Sequence, residues 1–322
     1  MISDAFPRFS LIDGPTPLQR MVRLEKETGH GSLWVKRDDC MPLGLGGNKL
    51  RSLEFWLGQA LNEGCDTLLV AGGIASNQCR LTAAAAAKSG LDCVILYAGD
   101  EPTRYEGNLL LSEFLGAKLH FIGPVSEEER GRQALQMAET LRKLGKKPYL
   151  IGDPFLGAMG YVESALELLQ QAEAVNTAFR HVILAGSMGP TEAGFLFGAR
   201  AHGWSGTLHL ISVEYQAKEL DTRLSAILDQ LSQKTGLSTF SDWRLGTCIH
   251  VDQLGDGYDR ATPASRAAAQ RVASREGFFA ERTYMAKTFA GLFALIENGT
   301  IPPDEPACII HTGGNPALFS QI

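Results

Sequence analysis

The sequence predicts an α/β protein of two domains, each an open, mostly parallel sheet with helices on both faces, and a ligand cleft between them. Three observations carry that prediction. Short continuous apolar runs, such as residues 67–71 and 181–185, alternate with longer segments of helical periodicity, as strands covered on both faces by helices require. Glycine clusters follow several of those runs, where βα turns face the carboxyl edge of a parallel sheet. The length, 322 residues, exceeds the usual size of one hydrophobic core.

In chain order, residues 1–43 begin with proline-rich extended sequence. Gly14-Pro15-Thr16-Pro17-Leu18 reads as a turn, 19–28 as a short amphipathic helix and 32–37 as an alternating strand. Leu50, Leu53, Leu57 and Leu61 then recur at helical spacing. The smaller domain, 50–155, has strands at 67–71, 93–97, 118–122 and 149–151. Its helices fall at 77–89, which carries an alanine run, at 107–115 and at 126–144. The larger domain, 1–49 plus 156–322, has strands at 181–185, 208–213, 248–251 and 307–311. Helices at 161–174, 191–202, 217–235, 263–276 and 286–297 separate them. No fixed-period repeat or low-complexity tract interrupts the series.

Composition narrows the function classes. Thirty basic against 36 acidic residues give a net charge of −6, which lends no support to a nucleic-acid or anionic-membrane partner. No apolar run approaches the ~20 residues of a membrane span, and the first residues lack the basic start and apolar core of a signal peptide. The six cysteines are scattered without a Cys-x-x-Cys pair, so buried free thiols in a reducing cytoplasm are expected and a metal site is not.

Four glycine-rich junctions are expected around the cleft. Gly44-Leu45-Gly46-Gly47-Asn48-Lys49-Leu50-Arg51 runs a flexible loop into a helix with one lysine at the joint. An amine held there can form a Schiff base with an aldehyde cofactor; the plainer alternative is a solvated lysine at a helix entry. Gly72-Gly73-Ile74-Ala75-Ser76-Asn77-Gln78 presents a hydroxyl and an amide at a helix start, although Ser and Asn are also good N-caps. Gly186-Ser187-Met188-Gly189-Pro190-Thr191 has the best phosphate logic, since free backbone N–H groups and a helix dipole would face an anion. His311-Thr312-Gly313-Gly314-Asn315-Pro316 follows the last strand, with His311 expected to be a satisfied polar residue rather than a base. Tyr258 and Tyr284 are phenols in polar surroundings, either proton donors or packing. Dinucleotide, P-loop, zinc-protease and serine-hydrolase motifs are absent.

Taken together, Pro15-Thr-Pro-Leu18, Trp34-Val-Lys-Arg-Asp-Asp39, Gly46-Gly-Asn-Lys49, Ser76-Asn-Gln78, Gly157-Ala-Met-Gly-Tyr161 and His311-Thr-Gly-Gly314 resemble one family nearly end to end. It is the pyridoxal-phosphate enzymes of the tryptophan-synthase-β type (fold type II). Within it the sequence is similar to the branch holding D-cysteine desulfhydrase and 1-aminocyclopropane-1-carboxylate deaminase. The resemblance implies pyridoxal 5′-phosphate as cofactor, carried by Lys49, which then moves protons. It implies that Asn77, the backbone of Gly186, Ser187, Met188 and Gly189, and the Thr191 hydroxyl hold the phosphate, with Thr312 also against the cofactor. Ser76, Asn77 and Gln78 are implied near the substrate carboxylate or the cofactor ring. Tyr258 and Tyr284 are implied on the substrate side, one of them an acid. The implied reaction is α,β-elimination from a small, D-cysteine-like amino acid, giving a 2-oxo acid and ammonia. Cyclopropane ring opening, β-replacement, or cofactor binding with little turnover are the alternatives. A cytoplasmic homodimer is the family expectation.

The sequence also departs from that branch. Tyr284 is followed by Met285-Ala286, where the branch places a hydrogen-bonding residue and glycine opposite the pyridine nitrogen. Met188 and Pro190 interrupt the phosphate loop, and Gln78 matches the cyclopropane deaminases rather than the desulfhydrases.

Overall fold

The computed structural model describes residues 2–238 and 240–320. In chain order the elements are β1 (Leu18–Arg20), α1 (Val22–Thr28), β2 (Leu33–Arg37), α2 (Lys49–Asn62), β3 (Thr67–Gly73), α3 (Asn77–Ser89) and β4 (Asp92–Ala98). There follow α4 (Gly107–Phe114), β5 (Lys118–Phe121), α5 (Glu127–Lys143), β6 (Pro148–Leu150), α6 (Pro154–Ala174), β7 (His181–Gly186) and α7 (Pro190–Ala201). The chain ends with β8 (Thr207–Ser212), α8 (Ala217–Thr235), β9 (Thr247–His250), α9 (Pro263–Glu276), α10 (Met285–Glu297) and β10 (Ala307–His311).

Two sheets result. The smaller has the order β5-β4-β3-β6, and the larger β1-β2-β10-β7-β8-β9. Every pairing is parallel except β1 with β2. The continuous apolar strands are explained by burial on both faces. On β7 and β8, Val182, Leu184, Leu208 and Leu210 pack with Phe195 and Leu224 of α7 and α8, while Ile183 and Ile211 pack with Val272 and Phe289 of α9 and α10. On β3, Leu68 and Val70 face Leu53 and Leu81, and Leu69 faces Ala138 of α5. Each fully buried Leu or Ile side chain contributes about 1.5–3 kcal/mol relative to exposure.

Two expected elements differ. The segment read as a helix from residue 19 is strand at Leu18–Arg20, where Gln19 and Arg20 pair with Val35 and Trp34, and becomes helix only at Val22. A tertiary ladder overrides local helix preference there. Helix α6 starts at Pro154 rather than 161, with Asp153 as its cap accepting from the Leu156 N–H at 2.8 Å. Its early glycines are contact points. A Cβ at Gly160 would lie 2.2 Å from the Arg51 carbonyl oxygen, and one at Gly157 would lie 2.5 Å from the Trp56 ring. These glycines seat α6 against α2, the helix that Lys49 begins. Of the cysteines expected to be buried, Cys40 and Cys248 are instead exposed.

Candidate active site

A cleft of about 340 Å³ lies where the carboxyl ends of β3, β4, β7, β8 and β10 face the start of α2, the usual ligand position in open parallel sheets. Of the residues singled out in the sequence, Lys49, Ser76, Asn77, Gln78, Ser187, Met188, Thr191, Tyr258, Tyr284 and Thr312 line it together. Gly186 and Gly189 do not. Their missing side chains make room for the core, since a Cβ would lie 2.8 Å from Leu220 at the first and 2.8 Å from Ile227 at the second.

The lysine loop is built from backbone upward. Gly46 and Gly47 have φ of 69° and 125°, a region that side chains disfavour. A Cβ on Gly46 would stand 2.5 Å from the carbonyl oxygens of Asp39 and Met41. The Gly47 N–H donates to Asp38 at 3.1 Å and the Asn48 N–H to Thr312 at 2.8 Å, tying the loop to the ends of β2 and β10. The buried Arg80 guanidinium donates to the carbonyls of Gly44 and Gly46 from the other side.

Two residues along α2, Arg51 enters a buried ionic network. Asp38 accepts from Arg51 Nε and Nη2 at 2.9 and 2.8 Å, from the Thr16 hydroxyl at 2.8 Å and from the Tyr161 hydroxyl at 2.6 Å. Arg51 also donates to Glu167. Burial works against the ionised Asp38, but Arg51 outweighs it and holds the carboxyl below its ordinary range. This network fixes the helix on which the Lys49 side chain stands.

The Lys49 amine has no hydrogen bond or ion pair among the described residues. Burial lowers its pKa, opposed only by the more distant charges of Glu192 and Glu214. An unpartnered amine, biased towards its neutral form in a cleft, is the form that attacks a carbonyl.

Around it, Ser76 caps α3 by accepting from the Cys79 N–H at 3.2 Å. Asn77 Oδ1 accepts from Asn108 Nδ2 at 2.9 Å, and Asn108 also donates to the Ala75 carbonyl. That leaves the Asn77 amide N–H groups for the cleft. Thr191, in the first turn of α7, accepts from Asn48 Nδ2 at 3.1 Å. Pro190 opens α7, so its first position supplies no donor. Two carboxylates join this loop. Glu192 accepts from the Ser187 N–H, and Glu214 accepts from the Ser187 hydroxyl. Burial raises both pKa values, against the hydrogen bonds from Ser187.

On the opposite wall the hydroxyls of Tyr258 and Tyr284 lie 2.7 Å apart, with the rings edge to face. Glu281 sets this wall. Its carboxylate accepts from the N–H groups of Thr283, Tyr284 and Met285 at 2.6, 2.8 and 2.9 Å, filling the start of α10. Met285 is buried with its sulfur 3.4 Å from the Thr312 hydroxyl, and Thr312 is the one of the two that lines the cleft. His311 is buried and satisfied, bonding the Phe279 carbonyl through Nε2 at 2.6 Å and the Gly313 N–H through Nδ1 at 3.2 Å.

The donor set fits pyridoxal phosphate: a free amine for the aldehyde, and hydroxyl, amide and helix-terminal N–H donors for the phosphate. Glu192 is the exception, an acceptor on an N–H that an anion would otherwise take. Asn108, Glu192, Glu214, Glu281 and the cleft-lining Arg130 were not singled out from sequence. The glycine motifs pointed only to their own neighbours.

The whole chain matches known proteins of this kind. Residues 9–313 match the family model described as pyridoxal-phosphate dependent enzyme. The D-cysteine desulfhydrases of Salmonella paratyphi B and Salmonella newport are each 38% identical over 98% of this chain and 96% of their own length. A crystal structure of an ACC deaminase homologue superposes with a TM-score of 0.91 at 30% identity, covering 99% of this chain and 95% of that one. An O-ureido-L-serine synthase, at 19% identity and TM-score 0.68 over 99% of this chain and 93% of its own, shares the fold. With this match and this cleft, the chain belongs to the pyridoxal-phosphate-dependent enzymes of fold type II, and pyridoxal phosphate is its cofactor.

Proposed function

We propose that this enzyme carries pyridoxal phosphate on Lys49 and catalyses α,β-elimination and deamination of a small, D-cysteine-like amino acid. The observation that carries the reading is that the unpartnered Lys49 amine and the hydrogen-bonded Tyr258–Tyr284 phenol pair line one cleft. The relatives named as D-cysteine desulfhydrases support the substrate class. The bound cofactor supplies an electron sink for the charge left at Cα when its proton is removed. The chain's residues do the rest. Lys49 Nζ takes the Cα proton, in keeping with an amine that burial keeps below its ordinary pKa. Asn77, the Thr191 hydroxyl and the backbone at Ser187 and Met188 hold the phosphate, with Thr312 against the ring. Ser76 and Gln78, at the start of α3, orient the substrate carboxylate. The Tyr258 and Tyr284 hydroxyls are hydrogen-bonded to one another at 2.7 Å, either able to donate, and one of them gives its proton to the departing sulfur. With D-cysteine and water, the products are pyruvate, ammonia and hydrogen sulfide.

Two domains, 50–155 and 1–49 plus 156–322, enclose the cleft in this reading. The chain works as a cytoplasmic homodimer. Six free cysteines support a reducing compartment, and no helix among the described residues is long and apolar enough to cross a membrane. Phe114 and Phe319, 76% and 77% exposed on elements that pack together, support an apolar contact between copies.

The test is product formation by purified, cofactor-loaded protein. Pyruvate and sulfide from D-cysteine, lost in Lys49→Ala, are expected. Gln78 in the cleft favours ring opening of 1-aminocyclopropane-1-carboxylate as the second reading. 2-Oxobutyrate from that substrate, with none of the pyruvate, would replace the first reading by the second.

A further inference from the structure

Away from the cleft, metal-binding side chains converge on the face of the large sheet that packs against α10. In the parallel register, His209 of β8 lies opposite Cys248 of β9, and His250 opposite Ile211. All three ligand side chains therefore share one face. One ligand atom from each lies within 4.8 Å of the other two. His209 Nδ1 is 3.0 Å from His250 Nε2. A tetrahedral ion with Zn–N and Zn–S bonds of ~2.0–2.3 Å needs its ligands roughly 3.3–3.8 Å apart, so movements of a few tenths of an ångström would suffice for the two imidazoles.

The atoms behind this cluster orient it. His209 Nε2 is 2.9 Å from His181 Nδ1, and His181 Nε2 is 2.7 Å from the Glu305 carboxylate. A carboxylate accepts, so His181 donates to it through Nε2 and accepts at Nδ1. His209 must then donate through Nε2, which leaves the Nδ1 lone pair pointing at His250. Carboxylate-backed imidazoles of this kind fix the tautomer of metal-binding histidines.

We propose that His209, Cys248 and His250 form a site for a divalent transition ion of the zinc type, with a fourth position open to solvent beside the exposed Cys248. On binding, the Cys248 thiol loses its proton to solvent and its sulfur bonds the ion. His250 moves its ring proton to Nδ1 and coordinates through Nε2. The ion clips the edge strand β9 to β8, in the segment that leads on to Tyr258. Cysteine spacing does not signal such a site, because the three ligands come from two strands and obey no short motif. It stands independently of the substrate proposed above.

The test uses the cofactor-loaded protein, treated with chelator and titrated with Zn²⁺ by calorimetry in two buffers of different ionisation enthalpy. One ion per chain is expected, with proton release. Co²⁺ is expected to give a thiolate-to-metal absorption band in difference spectra against the metal-free protein. Cys248→Ser should remove that band, and both Cys248→Ser and His250→Ala should weaken binding at least tenfold. Cys40→Ser, at another exposed thiol, should change nothing. No stoichiometric binding would reduce the cluster to a chain of hydrogen-bonded imidazoles and overturn the proposal. So would binding that survives both variants. Were either variant to lose its fold, the Co²⁺ band of the unaltered protein would decide: absent, the thiolate is no ligand.

Discussion

Lys36, on β2, and Lys49, at the start of α2, are treated by the protein in opposite ways. Lys36 is fully buried, and every proton of its ammonium is taken: by the Thr16 carbonyl at 2.6 Å, by Gln171 Oε1 at 2.6 Å and by Glu167. Lys49 stands at the end of a loop held by Asp38, Thr312 and Arg80, yet its own nitrogen is given nothing. A buried ammonium must be paired to remain charged, so Lys36 is a structural cation. Half-buried in the cleft and without a partner, Lys49 is instead left ready to react. Structural and chemical groups in this site are thus told apart by saturation, which marks the first and is missing from the second.

The contrast is clearest if each side is removed. Lys49→Ala should abolish turnover and the visible absorbance of lysine-bound cofactor, while changing unfolding free energy by less than about 1 kcal/mol, because no folded-state partner is lost. Asp38→Ala should do the reverse. Leaving Arg51 with part of its partners gone should cost about 3–5 kcal/mol in denaturant unfolding, with cofactor absorbance retained at low temperature. The sign with pH follows. Because the Asp38 pKa is lowered in the folded protein, its contribution is present above the unfolded carboxyl pKa, is lost as pH falls through the folded value, and should be missing from the acid-unfolding curve of the variant.

Tyr258→Phe should lower kcat by roughly 10²-fold or more with cofactor affinity unchanged, the range for loss of a general acid. A smaller loss would make the pair a wall for the substrate. Glu192→Gln tests the acceptor in the phosphate loop. Phosphate favours the protonated carboxyl, so cofactor affinity in the parent should fall as pH rises through the raised Glu192 pKa. The variant should flatten that dependence and bind roughly tenfold more tightly at the alkaline end, the ~1.5 kcal/mol of one charge-assisted hydrogen bond. Asn108→Ala, which frees the Asn77 amide from its support, should cost about 1 kcal/mol of cofactor affinity.

Much of this site was legible in sequence because its loops are local. Gly46-Gly47-Asn48-Lys49 and Gly313-Gly314 need glycine for their own backbone angles and close approach, and that requirement is written in consecutive residues. The same local logic misled at Gly157 and Gly160, where glycine serves contact with α2 inside a helix. Asn108, Glu192 and Glu281 were not legible as partners. Nothing in their spacing ties residue 108 to residue 77, or makes a glutamate at 281 the acceptor for three amides. Met285, read from the sequence as offering no hydrogen bond to the pyridine nitrogen, is buried with its sulfur against the Thr312 hydroxyl, and Thr312 lines the cleft.

The most direct measurement is borohydride reduction of the cofactor-loaded protein, followed by digestion and mass mapping of the pyridoxyl group. One modified lysine per chain is predicted, at Lys49, and none in Lys49→Ala. A label on Lys36 or Lys287, or an active enzyme with no labelled lysine, would contradict the assignment of the cofactor to Lys49.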